Sequence, residues 1–431
     1  MAKESELTVA IHSPYPLREG PNGVSNFVLE IEPYLKREGC SVRLIGPSLK
    51  SENAAHFTLG RPFKIPLGGT EAEITGTFNK GRARNTLLTI KPDILVVHEP
   101  VAGNGAHTLI SSAPKRQDGS TLPAVIGHFH AQIEKVTFAQ KLIRTALKAS
   151  RRPRFSNYGI PTGKFTSGYA DNIIRNMDGR IAVSNATARF YRDFYKDERH
   201  VEVIPNGINI DRLTPKGPKI GRWQEDGKKT ILFAGRHDPR KGIEYLLQAY
   251  ALLKQSGKDN IKLKITGEGQ ETQNLKQLTS YLNVSDVQFL GVLPREELIK
   301  AYRSADLFVS PAIGGEGFGR TLAEALACGT LVVGSDINGY REVIGGQSFA
   351  RMAKPENAHD LSLKIWEFLS LPDEERQKLE EQASLYVMRR FAWPVVARQT
   401  VNYYHEVLER HGKPEKEEWP LKRQGIIFQR K

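Results

Sequence analysis

Cysteine is scarce in this chain: 431 residues hold two, Cys40 and Cys328. Two thiols cannot build the bridged framework of a small secreted module or supply four zinc ligands, so both classes are excluded. Each sits in a helix–loop–strand context and reads as a buried thiol. Long apolar runs are also missing. None approaches the roughly 18 residues of a membrane-spanning helix. The opening MAKESELTVAIHSP passes almost directly into a strand-like run, without the apolar segment of a signal peptide. A cytoplasmic chain is the expectation. Acidic residues are outnumbered, 48 Asp and Glu against 62 Lys and Arg, a net charge of +14. That balance asks for an anionic partner, whether nucleotide, nucleic acid or lipid surface.

What is present is a repeated alternation. Strand-like runs LTVAIHSP, SVRLIGPS, DILVVHEP, AVIGHFH, RIAVSN and VEVIPNG are followed by TILFAGR, KLKITGEG, VQFLGVL, DLFVSPA and TLVVGSD. Several are apolar at consecutive positions, as parallel strands covered on both faces must be. Helical stretches, such as Ser25 to Glu38 and Ile243 to Gln255, lie between them. The pattern is doubly wound α/β, twice over. It breaks at the polar, proline-containing stretch from Asp211 to Lys229, which predicts an N-terminal unit of 1–212 and a second unit of 213–396. Ligands of such sheets sit at the carboxyl ends of strands, so the expected site is a cleft between the two units.

Each motif with chemical content follows a strand. GGEGFGRTLAEALACGT (Gly314 to Thr330) places Glu316 in a glycine turn and Glu324 in the helix behind it. A glycine turn opening a helix suits an anion, and carboxylates belong there only if they hold neutral hydroxyls. A structural alternative stands beside this reading. Thr321 and Glu324 spell a capping box, and Glu316 near a helix start can favour the dipole. FAGRHDPRKG brings Arg236, Arg240 and Lys241 to a strand end, a bidentate fork and a point charge suited to a diphosphate. GHFHA sets His128 and His130 on one strand face, a metal pair in principle but with no third ligand nearby in sequence. PYPLREGPNGVSNFV offers Gly20 and Gly23 for close approach, with Asn22 or Ser25 to cap. Together these fit a nucleotide-diphosphate sugar.

On these residues the chain resembles retaining glycosyltransferases of the GT-B fold, glycosyltransferase family 4. Glu316-x7-Glu324 with GRHDPRKG carries the resemblance, which extends from VAIHSPYP to FAWPVVARQTVNYYHEVL. Within the family it is most like bacterial phosphatidylinositol α-mannosyltransferases, through Pro14–Tyr15, Asn22 to Val24, HEP, Phe129–His130 and GGEGFG. The resemblance implies two Rossmann-like domains facing a cleft, with a C-terminal segment, 397–431, crossing back to the first. It implies that Gly23, Arg236 and Lys241 meet the diphosphate. His130 and Glu316 would meet the donor sugar, as the catalytic set with Arg236 and Lys241, and Glu324 the ribose. Gly317, Phe318, Gly319 and Arg320 would complete the donor site, and Tyr15 and Asn22 would lie on the acceptor side. Asn22, at a usual glycine, Arg320, at a usually aliphatic position, and a basic loop one residue short are departures from the pattern. No tightly bound cofactor is implied and no residue is assigned to a metal, while a divalent-metal requirement is left open. The donor would be GDP-mannose or a UDP-sugar, and the acceptor a lipid or a sugar.

A further feature stands apart from the resemblance. On a helix, at about 100° per residue, Val136, Ala139, Leu142, Ile143, Ala146 and Leu147 share one face. Lys141, Arg144, Lys148, Arg151 and Arg152 share the other. Such a helix can lie on an anionic membrane surface; the alternative is a core-packed helix with a solvated basic face. Enzyme action on a lipid, enzyme action on a soluble acceptor and binding without turnover are the rival functions. No nucleic-acid module is present in the pattern, and no nucleic-acid partner is expected.

Overall fold

The computed structural model describes residues 6–18, 23–47, 56–60, 62–67, 70–75, 79–100, 105–130, 173–223, 225–414 and 418–420. The first sheet comprises β1 (Leu7–His12), β2 (Cys40–Gly46), β3 (His56–Thr58), β6 (Ile94–His98), β7 (Ala124–Phe129), β8 (Gly179–Ala182) and β9 (Glu202–Val203), with β4 (Pro62–Leu67) and β5 (Thr70–Thr75) forming a separate antiparallel pair. The second comprises β10 (Lys229–Ala234), β11 (Ile261–Thr266), β12 (Val287–Gly291), β13 (Leu307–Ser310), β14 (Val332–Ser335) and β15 (Ala350–Ala353).

Strand order is 3-2-1-6-7-8-9 in one sheet and 12-11-10-13-14-15 in the other, parallel throughout. Helices cover both faces, which is why β6 and β7 are buried at every position and read as unbroken apolar runs. In each sheet the order reverses beside its first strand, at β1/β6 and at β10/β13. Side chains at the carboxyl ends of those strands share one crevice.

The return of the chain is visible at Ala392. Ile208 and Ala392 form an isolated parallel bridge, through Ile208 N to Phe391 O at 2.7 Å and Trp393 N to Ile208 O at 3.2 Å. Beyond it the helix Trp393–His411 lays Val396, Val401, Tyr404 and Val407 into the core of the first sheet, beside Val9, Val42 and Ile126. Trp393 is wholly buried, its ring 5.2 Å from Phe27 and stacked at 6.0 Å on Tyr34. Gly207 lies against that ring so closely that a Cβ there would fall 2.1 Å from it. No helix among the described residues is long and apolar enough to cross a membrane.

Two local expectations change. Of VEVIPNG only Glu202–Val203 is strand, because proline and glycine end the ladder at once. A further edge strand, β15, is too short and polar to show as an apolar run, with Arg351 turned to Glu367 at 2.9 Å. Both cysteines are free and buried, as expected.

Candidate active site

The loop after β10 is built by its own residues. Asp238, almost wholly buried, caps the short turn Pro239–Lys241 by accepting from Arg240 N at 3.0 Å. It also holds the Arg240 guanidinium at 3.2 Å and that of Arg236 at 3.8 Å. Gly242 then turns with φ 62°, where a Cβ would stand 2.1 Å from the carbonyl oxygen of Pro311. Only glycine fits there. Ile313 N donates to Arg240 O at 2.8 Å, so the basic loop and the glycine turn after β13 are fastened backbone to backbone.

That seam aligns the charges. Lys241 Nζ donates to Glu316 Oε1 at 2.8 Å, and both side chains are less than a fifth exposed. Burial raises the Glu316 carboxyl pKa, but Lys241, then Arg240 and Arg236, outweigh it and hold it below the usual carboxylate range. Three cations therefore surround one ionised glutamate, an arrangement with positive charge to spare for an anion.

Glu324 answers the capping-box alternative. The helix Arg320–Ala327 is capped by Gly319 (φ 93°) with no side-chain bond, and Thr321 lies inside it. Glu324 points elsewhere: Oε1 accepts from Arg295 Nη2 at 2.9 Å and Arg320 Nε at 3.1 Å, and Oε2 from the Tyr302 hydroxyl at 3.2 Å. Burial acts to raise its pKa, but Arg295 and Arg320 bring it down to about 2. The carboxylate is a charged hub, not a cap.

On the facing sheet, His130 follows β7. Its backbone N donates to Glu99 Oε1 at 2.7 Å, and Glu99, at φ 43°, donates its own N to His128 O at 2.9 Å. His98 Nδ1 lies 2.8 Å from His130 Nε2. Burial lowers the His130 pKa to about 3 despite a hydrogen bond with Asn206, and Arg320 adds to the lowering. It is a neutral imidazole at neutral pH.

The two halves touch here. A Cβ on Gly317 would stand 2.3 Å from the carbonyl oxygen of His130, and Asn185 donates to Glu342 at 3.1 Å beside it. Arg320 reaches over to the helix Gly23–Arg37, where Nη2 meets both oxygens of Glu30. Tyr15 is half-buried beyond β1, its hydroxyl pKa raised by burial and by Glu99. A Cβ on Gly23 would meet nothing within 4 Å, so the protein's own packing does not demand glycine there. The Phe318 ring is turned into the second core, edge-on to Phe391 at 5.3 Å, leaving its backbone rather than its ring to face the cleft. Asn22 and the segment with Lys141, Arg144, Lys148, Arg151 and Arg152 lie outside the described residues.

Thus Arg236, Lys241, Glu316, Gly317, Arg320, Glu324 and His130 come together around one crevice. Sequence reasoning missed Glu30, Arg295 and Tyr302, which carry no local motif. It also missed the role of His98 and Glu99, although HEP after a strand was there to be read.

Two parallel-sheet α/β domains with this crevice between them define the GT-B fold. Residues 21–212 match the family described as Glycosyltransferase Family 4, and residues 219–385 match Glycosyl transferases group 1. The chain therefore carries two glycosyltransferase domains, one matched by each model, and is a hexosyltransferase. It is 29% identical to the phosphatidyl-myo-inositol mannosyltransferase of Mycobacterium leprae, over 93% of this chain and 97% of that protein. Among solved structures, a glycosyltransferase from Rickettsia africae superposes with a TM-score of 0.69 at 21% identity, covering 94% of this chain and all of that one. Anabaena HepE in complex with UDP and glucose superposes with a TM-score of 0.64 at 18% identity, covering 93% and 100%.

Proposed function

We propose that this protein is a retaining mannosyltransferase that moves mannose from GDP-mannose onto a lipid acceptor such as phosphatidylinositol, working peripherally at the cytoplasmic face of the membrane. The observation that carries the reading is the Lys241–Glu316 pair, flanked by Arg236 and Arg240, on the crevice that His130 faces. In this reading Arg236, Lys241 and the backbone near Gly23 hold the diphosphate. Glu316 and His130 hold the sugar's hydroxyls, with Gly317, Phe318 and Gly319 contributing backbone. A carboxylate has about four lone-pair sites; Glu324 uses three on Arg295, Arg320 and Tyr302, so one remains for a ribose hydroxyl. Tyr15 and Asn22 face the acceptor.

The transfer proceeds by same-face attack. The acceptor hydroxyl bonds to the anomeric carbon as the sugar–phosphate bond breaks, and the departing phosphate oxygen takes the acceptor's proton. Arg236 and Lys241 stabilise the charge that develops on that oxygen. The names of relatives, phosphatidyl-myo-inositol mannosyltransferases, support mannose as the sugar transferred and phosphatidylinositol as the acceptor. We take residues 1–212, with the helix returning from Trp393, as the acceptor-side unit and 213–392 as the donor-side unit; the return starts a few residues before the expected 397, since Trp393 and Val396 already fill the first core. The basic stretch Lys141–Arg152 supplies the membrane contact. A second reading, a UDP-sugar donor, is favoured by the UDP and glucose bound to Anabaena HepE.

The deciding experiment presents GDP-mannose, UDP-glucose and ADP-glucose in turn with phosphatidylinositol vesicles or free inositol, and reads the product by mass spectrometry. Mannosylated lipid, formed more slowly as salt screens the surface or as Arg144, Lys148 and Arg151 are reversed to Glu, is the expected result. Transfer to free inositol alone would overturn the lipid assignment, and transfer from UDP-glucose alone would overturn the donor.

A further inference from the structure

We propose that His98 is a positioning residue for sugar transfer: it fixes the tautomer of His130, so that the His130 ring presents its Nδ1 hydrogen and serves as a hydrogen-bond donor, not as a base. The two residues converge by topology. His98 ends β6 and stands opposite His128 in the parallel register of β7, and His130 follows two residues on. His98 Nδ1 lies 2.8 Å from His130 Nε2. The ring centroids are 5.0 Å apart and the planes differ by 22°. So short a contact at that centroid separation puts both nitrogens near the line joining the ring centres. The rings therefore meet edge to edge and almost coplanar, the in-line geometry a hydrogen bond prefers. His128 lies over both, 4.7 Å from His98 and 4.4 Å from His130, at 26° and 15° from parallel. Phe27 meets His128 and His130 in T-shaped contacts at 4.9 and 4.7 Å. Near-parallel planes send the three rings' lone pairs past one another, so stacking and one hydrogen bond, not a shared ion, hold the trio.

Burial, then the neighbouring rings, hold His98 and His128 well below the usual imidazole range, and burial brings His130 to about 3. A neutral imidazole carries one ring hydrogen and one lone pair. Of the two nitrogens that face each other, one therefore holds a hydrogen and the other does not. Asn206 decides which. Its side chain bonds the His130 ring in the sense that favours a ring hydrogen, so Asn206 is the acceptor. Nε2 is turned to His98, which leaves Nδ1 as the nitrogen that donates to Asn206. His130 Nε2 then has only its lone pair, and His98 Nδ1 is the donor. The relay runs from His98 Nδ1–H to His130 Nε2, and from His130 Nδ1–H to Asn206. Glu99 Oε1 accepts from the His130 backbone N at 2.7 Å, so main chain and ring are both held.

The consequence for transfer rests on the proposed function, in which His130 meets the donor sugar. A ring held this way has no lone pair free to take a proton. What it offers is the Nδ1 hydrogen, with a sugar hydroxyl taking the place of Asn206. A neutral donor also suits the chemistry. The anomeric carbon gains positive character as its bond to the leaving oxygen breaks, and an imidazolium beside it would oppose that charge. Which ring nitrogen carries the hydrogen is set by the bond the other one makes. Without His98, the His130 hydrogen is free to move to Nε2, and the ring then turns a lone pair toward the sugar hydroxyl.

The test uses the full chain, isotope-labelled at the histidine nitrogens, with the His130 signals assigned by their loss in His130→Ala. Ring-nitrogen chemical shifts at neutral pH separate the two tautomers, and wild type should show His130 with its hydrogen on Nδ1. His98→Asn keeps a donor close to where Nδ1 stood and should retain that spectrum and near wild-type turnover. His98→Leu removes the bond. It should mix the tautomers and lower kcat with GDP-mannose and phosphatidylinositol vesicles by roughly tenfold to a hundredfold, while GDP binding stays unchanged. Circular dichroism and melting confirm folding. A wild-type His130 with its hydrogen on Nε2 would overturn the proposal. So would a wild-type spectrum and kcat in folded His98→Leu beside an inactive His130→Ala. Normal kcat in His130→Ala would instead remove His130 from the sugar, and the reading beneath the consequence would fail. Should His98→Leu not fold, or wild type not turn over GDP-mannose, the wild-type ring spectrum decides alone.

Discussion

Arg320 and Glu30, 290 positions apart in sequence, meet across the cleft, with Arg320 Nη2 at 2.6 and 2.7 Å from the two carboxylate oxygens. The same guanidinium gives its Nε to Glu324 at 3.1 Å, while Trp393 Nε1 donates to Glu30 at 3.1 Å. A line of partners therefore runs from the returning helix, through the first helix, to the signature glutamate of the second domain. Neither Arg320 nor Glu30 is more than a third exposed. The pair is sheltered enough to count for more than a surface ion pair. It explains why an arginine stands where an aliphatic residue was expected.

Glu30→Gln keeps the shape and removes the charge. Charge-assisted hydrogen bonds contribute about 1.5–3 kcal/mol, so the closed arrangement should weaken by about 1–2 kcal/mol. Small-angle scattering should report a larger radius of gyration, and donor binding should weaken several-fold while each domain stays folded. An unchanged radius and unchanged donor affinity would show that the pair does not hold the domains together.

Lys241→Ala and Arg236→Ala remove cations from the donor crevice. Losing one preorganised charge partner of a transition state costs about 10²–10³ in rate, and transfer should fall accordingly. Calorimetry should show nucleoside-diphosphate binding weakened more than tenfold, with melting near wild type. Normal affinity in both variants would remove these residues from the site.

The pH dependence of stability tests Glu324. Its pKa is lowered from 4.5 to about 2 in the folded protein, so the stabilisation it brings is present above pH 4.5 and is lost as pH falls toward 2. Urea unfolding of wild type should therefore weaken between pH 5 and pH 3 more steeply than that of Glu324→Gln. Glu324→Gln should also lose turnover at pH 7, because Arg295 then keeps only a neutral partner at this position and Arg320 is left with Glu30 as its carboxylate. Parallel stability curves for the two proteins would contradict the charged-hub reading.

Gly317→Ala is a steric test of closure. The added methyl would stand 2.3 Å from the backbone oxygen of His130, which cannot step aside as a flexible side chain can. The expected outcome is an opened cleft, with transfer lost, and a nucleotide-induced thermal shift retained, because the basic loop lies within one domain. Wild-type turnover in Gly317→Ala would mean that this approach is not needed for the reaction.

Much of the fold was legible because parallel strands buried on both faces announce themselves as apolar runs: β6 and β10 were read to within a residue or two. The donor cluster was legible for a related reason. Arg236, Lys241, Glu316 and Glu324 sit in two short stretches whose glycines mark the turns. What stayed hidden was long-range. Nothing around Glu30 sets it apart from any helix-surface acid, and Arg295 lies in an ordinary helix start. His98 completes a trio with His128 and His130 only through the β6–β7 register. The capping-box alternative fails because T-x-x-E describes a helix start, whereas Gly319 begins this helix earlier and Glu324 goes to other partners.

The return of the helix Trp393–His411 to the first core also has a bearing on how the protein is made. During synthesis the first seven strands of that sheet leave the ribosome long before Trp393, Tyr404 and Val407, which fill their core. The second domain can collapse on its own as it emerges, whereas the first must wait, with an apolar flank uncovered, until almost the entire chain has been translated. Truncation anywhere in the last helix should therefore harm the domain farthest from it in sequence, and a nascent chain stalled before residue 393 is the form most in need of a chaperone.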